Sequence, residues 1–346
     1  MTTTAPRPTT ARRPALPPPR GVLSEAVTAY LRAPGGALPG PREVSAADPY
    51  GEDLHLALHL AYALHYRGFA DVSDELEWDP ELLRLRALLE RRFEDALRDG
   101  CGRHGGLSEV FDALLTEPVD GHGASWYLLR HGTFAHLREY AVLRSVYQLG
   151  EADPHQWVVP RLEGRAKAAM MAVQYDEYGC GRAERMHARL YADLMEALDL
   201  DPAYGRYLPL VGAPALALVN QMSLFGLHRR RRGALVGHFA ALEVGSPPAA
   251  SRMVAAMRRI GAGEAAIRFY DEHVEADAVH EQLVRREVVG GLLAEEPGLA
   301  DDVAFGVQAT VLLEEAFAEA TTQAWAAGET ALRTPLDDGD VSGPTE

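Results

Sequence analysis

The sequence predicts an all-α protein, and three observations support that fold class. Apolar residues recur at the 3.6-residue period of a helix, as in Leu82, Leu85, Leu88 and Leu89. The stretches that show this period are separated by breaks that carry Gly or Pro. The period-two alternation of β-branched residues that is typical of strands is nearly absent. We therefore expect a multi-helix bundle.

The periodic stretches and their breaks define the helices in chain order. Predicted helices cover residues 23–33, 52–68, 79–98, 107–117, 133–150, 158–178, 182–199, 206–226, 230–244, 248–260, 263–294 and 299–328. The helix at 79–98 is an amphipathic surface helix in which Glu90 and Glu94 are interleaved with arginines. No internal repeat of fixed period is present, so a solenoid is not expected.

The composition along the chain predicts one folded domain between two tails. Residues 1–20 are rich in Thr, Pro, Ala and Arg, with three successive prolines at 17–19, and are predicted to be disordered. The acidic tail at 334–346 is expected to be disordered as well. No composition shift marks a linker inside 21–333, so we expect a single helical domain in which 21–120 forms a peripheral helical layer.

The bulk properties exclude several classes of protein. A net charge of -16 argues against a nucleic-acid partner, because phosphate binding needs a surplus of Lys and Arg. Cys101 and Cys180 are the only cysteines, which excludes a disulfide framework and fits a reducing cytoplasm. No apolar run reaches the roughly 18 residues that span a bilayer. We expect a cytoplasmic protein with no membrane partner.

A candidate metal motif lies in the helix predicted at 263–294. His273, Asp277 and His280 stand at positions i, i+4 and i+7, which share one face of a helix. Two imidazoles and a carboxylate are ligands that suit a first-row transition metal such as iron or zinc. A solvent-exposed charged face is the competing interpretation. The apolar neighbours of the motif favour burial, which would require a metal or a polar network.

Two further stretches carry acidic residues and histidine. Glu151 follows the helix predicted at 133–150, and by itself it is typical of a helix-end carboxylate. Glu177 and His187 are ten residues apart, and the Gly-Cys-Gly break at 179–181 would allow both to face one point. Glu184 competes with Glu177, because Glu184 and His187 have the i, i+3 spacing of ferritin-like di-iron helices.

The other histidines and the basic run have plainer interpretations. His55 and His59 have a zinc-like i, i+4 spacing, but no carboxylate shares their face, so we expect them to pack beside an apolar stripe. The run from His228 to Arg232 is expected to be a solvated helix end. The histidines that show no ligand spacing are His65, His122, His131, His136, His228 and His238.

The three acidic and histidine-bearing stretches together resemble the heme-oxygenase-like di-iron oxidases and oxygenases. They are most similar to the bacterial set known as iron-containing redox enzymes, over most of residues 50–330. The phrases that carry the resemblance are Glu151-Ala-Asp-Pro-His155, Asp176-Glu-Tyr-Gly179, Arg185-Met-His187 and His273-Val-Glu-Ala-Asp-Ala-Val-His280. Cys180 departs from the pattern, since glycine is expected there in relatives.

The resemblance implies a heme-oxygenase-like helical bundle, with additional N-terminal helices, that binds two iron ions rather than heme. It implies an enzyme that reduces O2 as co-substrate at a di-ferrous centre and oxidises an amino-acid-like or fatty-acid-like substrate. The outcomes known in the family include N-oxygenation, oxidative decarboxylation and bond cleavage. The six metal ligands that it implies are Glu151, Glu177, His187, His273, Asp277 and His280.

Within that ligand set we assign the bridging role to Glu177 and terminal roles to the other five residues. Side chains that contact the ligands are expected to fix the imidazoles. The candidates for this are Asp153, Asp176, Tyr178, Glu184 and Glu281. The apolar helix at 206–226, with Asn220 and Gln221, is expected to line the substrate pocket. The residues leave open whether manganese replaces one iron.

Two alternatives to a di-iron enzyme belong to other classes. One is a metal-free or heme-binding protein of the same fold that acts as a binding or degrading module, with His55, His59 or His65 as the proximal ligand of a heme. The other is a ferritin-like storage role, which ranks last because a second Glu-x-x-His motif is missing. The expected partner is a small-molecule substrate, and the sequence leaves open whether an external electron donor takes part. A homodimer is the default expectation for the oligomeric state.

Overall fold

The computed structural model describes residues 13–102, 106–116 and 121–336, and the side chains of 275–279 are outside the described set. The described residues contain α-helices and short helical turns and no strand, which confirms the predicted all-α class. The α-helices are α1 (Val22–Arg32), α2 (Pro41–Ala46), α3 (Glu52–Ala63), α4 (Pro80–Cys101), α5 (Leu107–Leu114), α6 (Ala124–His131), α7 (Phe134–Gln148), α8 (Gly164–Glu177), α9 (His187–Ala197), α10 (Ala213–Gly226), α11 (Arg232–Ile260), α12 (Glu264–Leu283), α13 (Gly290–Glu295) and α14 (Ala300–Ala326).

Short turns connect several of these helices. A π-helical stretch, Val284–Val289, joins α12 to α13 without a break in the rod. The remaining turns are 3₁₀ helices at Asp74–Trp78, Asp153–Arg161, Gly179–Gly181, Ala183–Arg185, Arg229–Arg231 and Pro297–Leu299.

The helix α11 crosses a boundary that the sequence predicts. We expected two helices, at 230–244 and 248–260, but α11 continues through Pro247 and Pro248. Each proline lacks the N–H that would bond the carbonyl four residues earlier, so the rod forgoes two hydrogen bonds. Along its length α11 packs against α12 and α14, and such packing stabilises a helix beyond its own hydrogen bonds.

The helices α11 and α14 approach each other to backbone contact. A Cβ atom at Gly237 would collide with the carbonyl group of Val303, and one at Gly306 would collide with that of Ala234. Glycine is therefore required at both positions for the two rods to meet. Farther along, both helices form walls of a large pocket.

The N-terminal helices α1 to α4 lie against this bundle through a buried ionic network. Glu90 of α4 accepts a hydrogen bond from the hydroxyl of Tyr62 at 3.1 Å and bonds to Nε2 of His228 at 2.9 Å. Glu94 pairs with Arg231, whose exposed fraction is only 4 %. The prediction that the basic run is a solvated helix end is therefore wrong at Arg231, since its charge is neutralised inside the protein.

Residues 13–20, which fall in the predicted N-terminal tail, run over the surface of the bundle. The carbonyl of Pro14 accepts a hydrogen bond from the backbone N–H of Ala70 at 2.8 Å. The guanidinium of Arg20 is buried and donates to Glu52 at 2.7 Å. Residues 13–20 of the predicted tail are therefore packed on the bundle. The rest of the predicted N-terminal tail and most of the C-terminal one, 1–12 and 337–346, are outside the described residues.

None of the helices in the described ranges combines the length and the apolar character that crossing a bilayer requires.

Candidate metal centre

A tight turn brings Glu177 and His187 together. Glu177 is the last residue of α8, and His187 is the first residue of α9. Between them Gly179, Cys180 and Gly181 all have positive φ angles of 67°, 54° and 79°. Three left-handed residues in succession end one helix and reverse the chain into the next. The predicted break thus lets both side chains face one point.

The first cluster of candidate ligands contains Glu151, His187 and His273, all of which are buried. One ligand atom of each lies within 4.8 Å of the others. Oε1 of Glu151 is 3.7 Å from Nε2 of His273, and the rings of His187 and His273 have centroids 4.4 Å apart. The side chains come from the turn after α7, the start of α9 and the middle of α12, and they meet in the interior.

The second cluster contains Glu177, Glu243 and His280, which are also buried and lie within 4.8 Å of one another. Nδ1 of His280 is 3.3 Å from Oε2 of Glu243 and 3.9 Å from Oε1 of Glu177. Glu243 belongs to α11, which carries no residue of the predicted ligand set. The sequence does offer one signal for it, because Glu243 is an isolated charge in the apolar stretch 239–244.

The carboxylate of Glu177 lies between the two clusters. Its Oε2 atom is 3.0 Å from Nδ1 of His187, in the first cluster. Its Oε1 atom faces His280, in the second. This is the position that a bridging carboxylate would have. Glu184, the competing residue, is exposed in a turn between α8 and α9.

Two contacts fix the orientation of the imidazoles. Nδ1 of His273 donates to the carbonyl of Phe269 at 2.7 Å, which leaves Nε2 directed at Glu151. Nε2 of His280 bonds to Oδ2 of Asp176 at 3.1 Å, which leaves Nδ1 facing the carboxylates. Hydrogen bonds of this kind set the tautomer of a metal-binding histidine. Asp176 therefore has the geometry that we expected of a supporting residue.

The other expected supporting residues form contacts elsewhere. Tyr178 donates to Asp153 at 2.8 Å, so these two bond to each other. Glu281 pairs with Arg285 on the same helix at 2.6 Å. Neither contact involves a ligand imidazole. Asp277, the remaining predicted ligand, lies on α12, but its side chain is outside the described residues.

Burial and charge perturb the titration of the first cluster. Burial raises the pKa of Glu151 above its ordinary value, although His273 opposes this. Burial by itself lowers the pKa of His187, but the adjacent carboxylate of Glu177 outweighs it, and the pKa is raised. Both groups therefore hold protons more tightly than usual, and a bound cation would displace those protons.

The donor set of the two clusters fits iron. Oε2 of Glu151 is buried and accepts no hydrogen bond from any side chain in the described ranges. A buried carboxylate oxygen without a donor is costly unless a cation binds it. Mixed imidazole and carboxylate ligation is typical of non-heme iron. The residues that would hold two ions are Glu151, Glu177, His187, Glu243, His273 and His280.

A pocket of about 930 Å³ opens beside the first cluster, and Glu151 and His273 form part of its wall. Most of the lining area is apolar. The phenol ring of Tyr147 also lines the pocket, as do Glu151 and His273 of the first cluster. Burial, together with the charges of the nearby carboxylates, raises the pKa of Tyr147 well above its usual range. The phenol therefore keeps its proton. The pocket is lined by segments of α6, α7, α10, α11, α12 and α14.

The prediction for the helix at 206–226 is right about the helix and wrong about two of its residues. The pocket is lined by Leu218 and Met222 of α10, but not by Asn220 or Gln221. Asn220 donates to His55 instead, and Gln221 donates to the hydroxyl of Thr310 at 3.1 Å. Buried polar groups are nearly always hydrogen-bonded, and these two amides bond to side chains of neighbouring helices.

The histidines that a heme-binding alternative would use lie in the N-terminal layer. Nδ1 of His55 accepts from Asn220 at 3.1 Å, and Nδ1 of His65 bonds to Glu77 at 3.1 Å. His59 is buried in α3. The prediction that His55 and His59 pack in the core beside apolar residues is confirmed.

Comparison with known proteins adds one match. A family model described as iron-containing redox enzyme matches residues 138–315, just over half of the chain. This range includes every residue of both clusters. A search of curated proteins found no match.

Proposed function

Since this chain belongs to the family of iron-containing redox enzymes, with a heme-oxygenase-like fold, we propose that it is a non-heme di-iron oxidase or oxygenase. Membership of the family makes it an iron-dependent oxidoreductase. The number of metal ions, the use of O2 and the organic substrate are the parts that we propose.

The position of Glu177 is the observation that supports two ions rather than one. Its two oxygens face different clusters, at 3.0 Å from His187 and 3.9 Å from His280. Each cluster by itself offers three ligand atoms, which is enough for one ion with open positions. A carboxylate shared between two such sets would hold the ions as a pair.

Two ferrous ions, when bound, would supply electrons and open coordination positions for the reduction of O2. The chain's own residues prepare that chemistry. Phe269 and Asp176 orient His273 and His280, so little reorganisation accompanies binding. Tyr147 holds its phenolic proton at the wall of the pocket, within reach of the charge of Glu151. The apolar wall excludes water and keeps an organic substrate beside the cluster.

We propose an amino-acid-like or a fatty-acid-like molecule as the substrate, oxidised by N-oxygenation, oxidative decarboxylation or bond cleavage. The pocket supports either class. Its apolar residues suit a hydrocarbon chain, and the ion pair between Arg144 and Glu314, at 2.6 Å in the wall, presents both signs of charge.

Metal binding and O2 reaction test this function directly. Protein loaded with ferrous iron under anaerobic conditions should contain two ions per chain. Admission of O2 should then produce a transient visible absorption. His273→Ala should lower the iron content and abolish the transient, while His59→Ala, at a buried histidine of the N-terminal layer, should leave both unchanged.

Other results would contradict the proposed function or favour its alternative. Wild-type protein with almost no iron after reconstitution, together with a His273→Ala variant of identical behaviour, would contradict a di-iron enzyme. A hemin titration that shifts the Soret band, and loses that shift in His55→Ala, would instead favour the heme-binding alternative.

A further inference from the structure

Two small cavities, an inner and an outer one, lie beyond Tyr147 as seen from the large pocket. We infer that they hold a short file of water molecules, and that Tyr147 passes protons from this file to the metal centre. This role rests on the proposed function, because the reduction of O2 takes up protons as well as electrons. The water site itself does not depend on metal, so it can be tested in iron-free protein.

The pocket and the two cavities share walls, so they follow one another through the protein. Val146, Tyr147 and Val219 line both the pocket and the inner cavity. Ala63 and Tyr204 are among the residues that line both the inner cavity and the outer one. Tyr147 therefore stands in the wall between the inner cavity and the pocket, and Ala63 stands where the two cavities meet.

The outer cavity lies close to the surface of the protein. It is lined by Pro14 of the N-terminal segment and by Gly205, both of which are half-buried. A Cβ atom on Gly205 would lie 2.7 Å from Cβ of Pro14, so glycine allows the two segments to pack closely at this end. The file thus runs from beneath Pro14 to the wall of the pocket, and it does not pass through the space that a substrate would fill.

The size of the cavities suits water and excludes an organic substrate. Their volumes are about 30 Å³ for the inner cavity and about 10 Å³ for the outer one, against about 930 Å³ for the pocket. A buried water molecule needs roughly 10–15 Å³ of such volume, so the inner cavity has room for about two molecules and the outer for about one.

The inner cavity offers the hydrogen bonds that buried water needs. Tyr66 and Ser223 line it, and their hydroxyls are 3.1 Å apart. Asp153 and Tyr204 line it as well. Oδ1 of Asp153 accepts from the hydroxyl of Tyr178 at 2.8 Å, and a carboxylate has further capacity to accept. An apolar cavity stays dry, whereas one with several polar side chains binds water at fixed positions.

Tyr147 can pass a proton and remain neutral. Burial, together with the charges of nearby carboxylates, raises the pKa of its phenol, which therefore stays protonated. When the phenol gives its proton to the centre, it takes one from the adjacent water, and each water takes one from the next. One O–H bond breaks and one forms at every member of the file, and no electron moves. The net result is the transfer of one proton from solvent to the centre.

The water content of iron-free protein tests the file directly. Relaxation dispersion of water oxygen nuclei counts the molecules that stay inside the protein, and a crystal structure shows where they bind. Wild type should hold about three molecules in the two cavities. Ala63→Leu fills the junction and should lose at least one of them, whereas Ala63→Ser is the control and should keep them all. Cavities that are dry in wild type and take up xenon under pressure would overturn the inference.

The decay of the transient that O2 produces tests the relay. Tyr147→Phe keeps the ring and loses the hydroxyl, so the iron content should match wild type while the transient decays at least about tenfold more slowly. Ala63→Leu should slow the decay in the same direction, and heavy water should slow the decay of wild type. Tyr191→Phe is the matched control, because its buried hydroxyl donates to the carbonyl of Ala141 at 2.8 Å and lines neither cavity. It should decay as wild type does.

The results separate this inference from the proposed function. Wild-type decay in both Tyr147→Phe and Ala63→Leu, in protein that binds iron and forms the transient, would refute the relay and leave the di-iron function intact. Wild-type protein that binds no iron would refute the function and the relay with it. The water count in iron-free protein would still decide whether the two cavities are a water site.

Discussion

The buried histidines differ in the direction in which their pKa is shifted, and the groups that surround each imidazole cause the difference. His55 is fully buried and has an amide of Asn220 at 3.1 Å from Nδ1, and burial lowers its pKa to about 3. His238 is equally buried, bonds to the hydroxyl of Thr310 at 2.8 Å, and also has a pKa of about 3. His187, beside Glu177, has a raised pKa instead. Surroundings rather than residue type thus decide which imidazoles stay neutral.

The free energy of unfolding should decrease on acidification, because buried histidines such as His55 stay neutral in the folded protein. The unfolded chain takes up a proton at His55 below about pH 6.5, and the folded chain does so only near pH 3, so this contribution is present above pH 6.5 and is lost as the pH falls. In His55→Gln, the free energy of unfolding of iron-free protein should depend on pH less steeply, by up to about 1.4 kcal/mol per pH unit in this window.

Urea denaturation at several pH values between 4 and 7 would measure that slope. His131→Gln, at an exposed position of α6, is the comparison variant and should follow wild type. Parallel pH profiles for wild type and His55→Gln would show that the imidazole of His55 titrates normally in the folded protein.

At the residue scale, spacing in the sequence pointed to several of the side chains that the two candidate clusters contain. The i and i+7 positions of His273 and His280 on one helix face bring both side chains inward, as helix geometry requires. Glu243 was not predicted, because its neighbours in the cluster are distant in sequence and it forms no spaced motif. Asn220 was misplaced for a related reason, since its partner His55 lies 165 residues away.

The turn between α8 and α9 is the element on which the geometry of the centre depends most. A Cβ atom at Gly179 would lie 2.6 Å from the carbonyl carbon of Arg185 and 2.7 Å from the nitrogen of Met186. At Gly181 the nearest atoms, in Tyr175, would be 3.8 Å away. Both glycines have positive φ, but only the first is also enclosed by backbone.

Substitutions in this turn should therefore differ in severity. Gly181→Ala should cost about 1 kcal/mol for its positive φ. Gly179→Ala should cost about 3 kcal/mol or more and should also lower the iron content, because the collision shifts His187 away from Glu177. Cys180→Gly should be more stable by up to about 1 kcal/mol, since glycine tolerates the φ of 54°.

Thermal denaturation and iron analysis of the three variants would check this order. Equal losses for Gly179→Ala and Gly181→Ala would mean that conformational strain, and not the contact with Arg185 and Met186, controls the turn.

Among the elements, the long periodic helices were predicted, whereas the short helices α2 and α6 were missed. α2 and α6 have six and eight residues, too few for a periodic pattern to stand out. The predicted end of a helix before Pro247 followed local chemistry, but the packing of α11 between its neighbours overrides two missing hydrogen bonds. Tertiary contacts of that kind cannot be seen in a local stretch of sequence.

At the scale of the whole molecule, the N-terminal layer and the metal-binding bundle are joined by long-range polar contacts. Arg20 donates to Glu52 and to the carbonyl of Leu208 at 2.8 Å, and Glu52 in turn accepts from the backbone of Ala213 at 2.7 Å, at the start of α10. The range 138–315 that matches the family begins after this layer in the sequence. The layer is nonetheless packed on a helix that lines the pocket.

Truncation from the N-terminus tests how much these contacts contribute to the free energy of unfolding. Removal of residues 1–20 should lower the free energy of unfolding by about 2–4 kcal/mol, because it deletes the buried charge of Arg20 and the hydrogen bond to Pro14. Removal of 1–12 alone, which leaves the contacts of residues 13–20 in place, is the control and should change it by less than about 0.5 kcal/mol. Chemical denaturation measures both, and equal losses for the two truncations would assign the stabilisation to residues before Arg13.

The candidate ligands stand far apart along the chain, from Glu151 near its middle to His280 in its last quarter. A growing polypeptide on the ribosome therefore exposes a carboxylate and an imidazole of the first cluster long before the third member, His273, has been synthesised. Secure iron capture has to wait until α12 emerges.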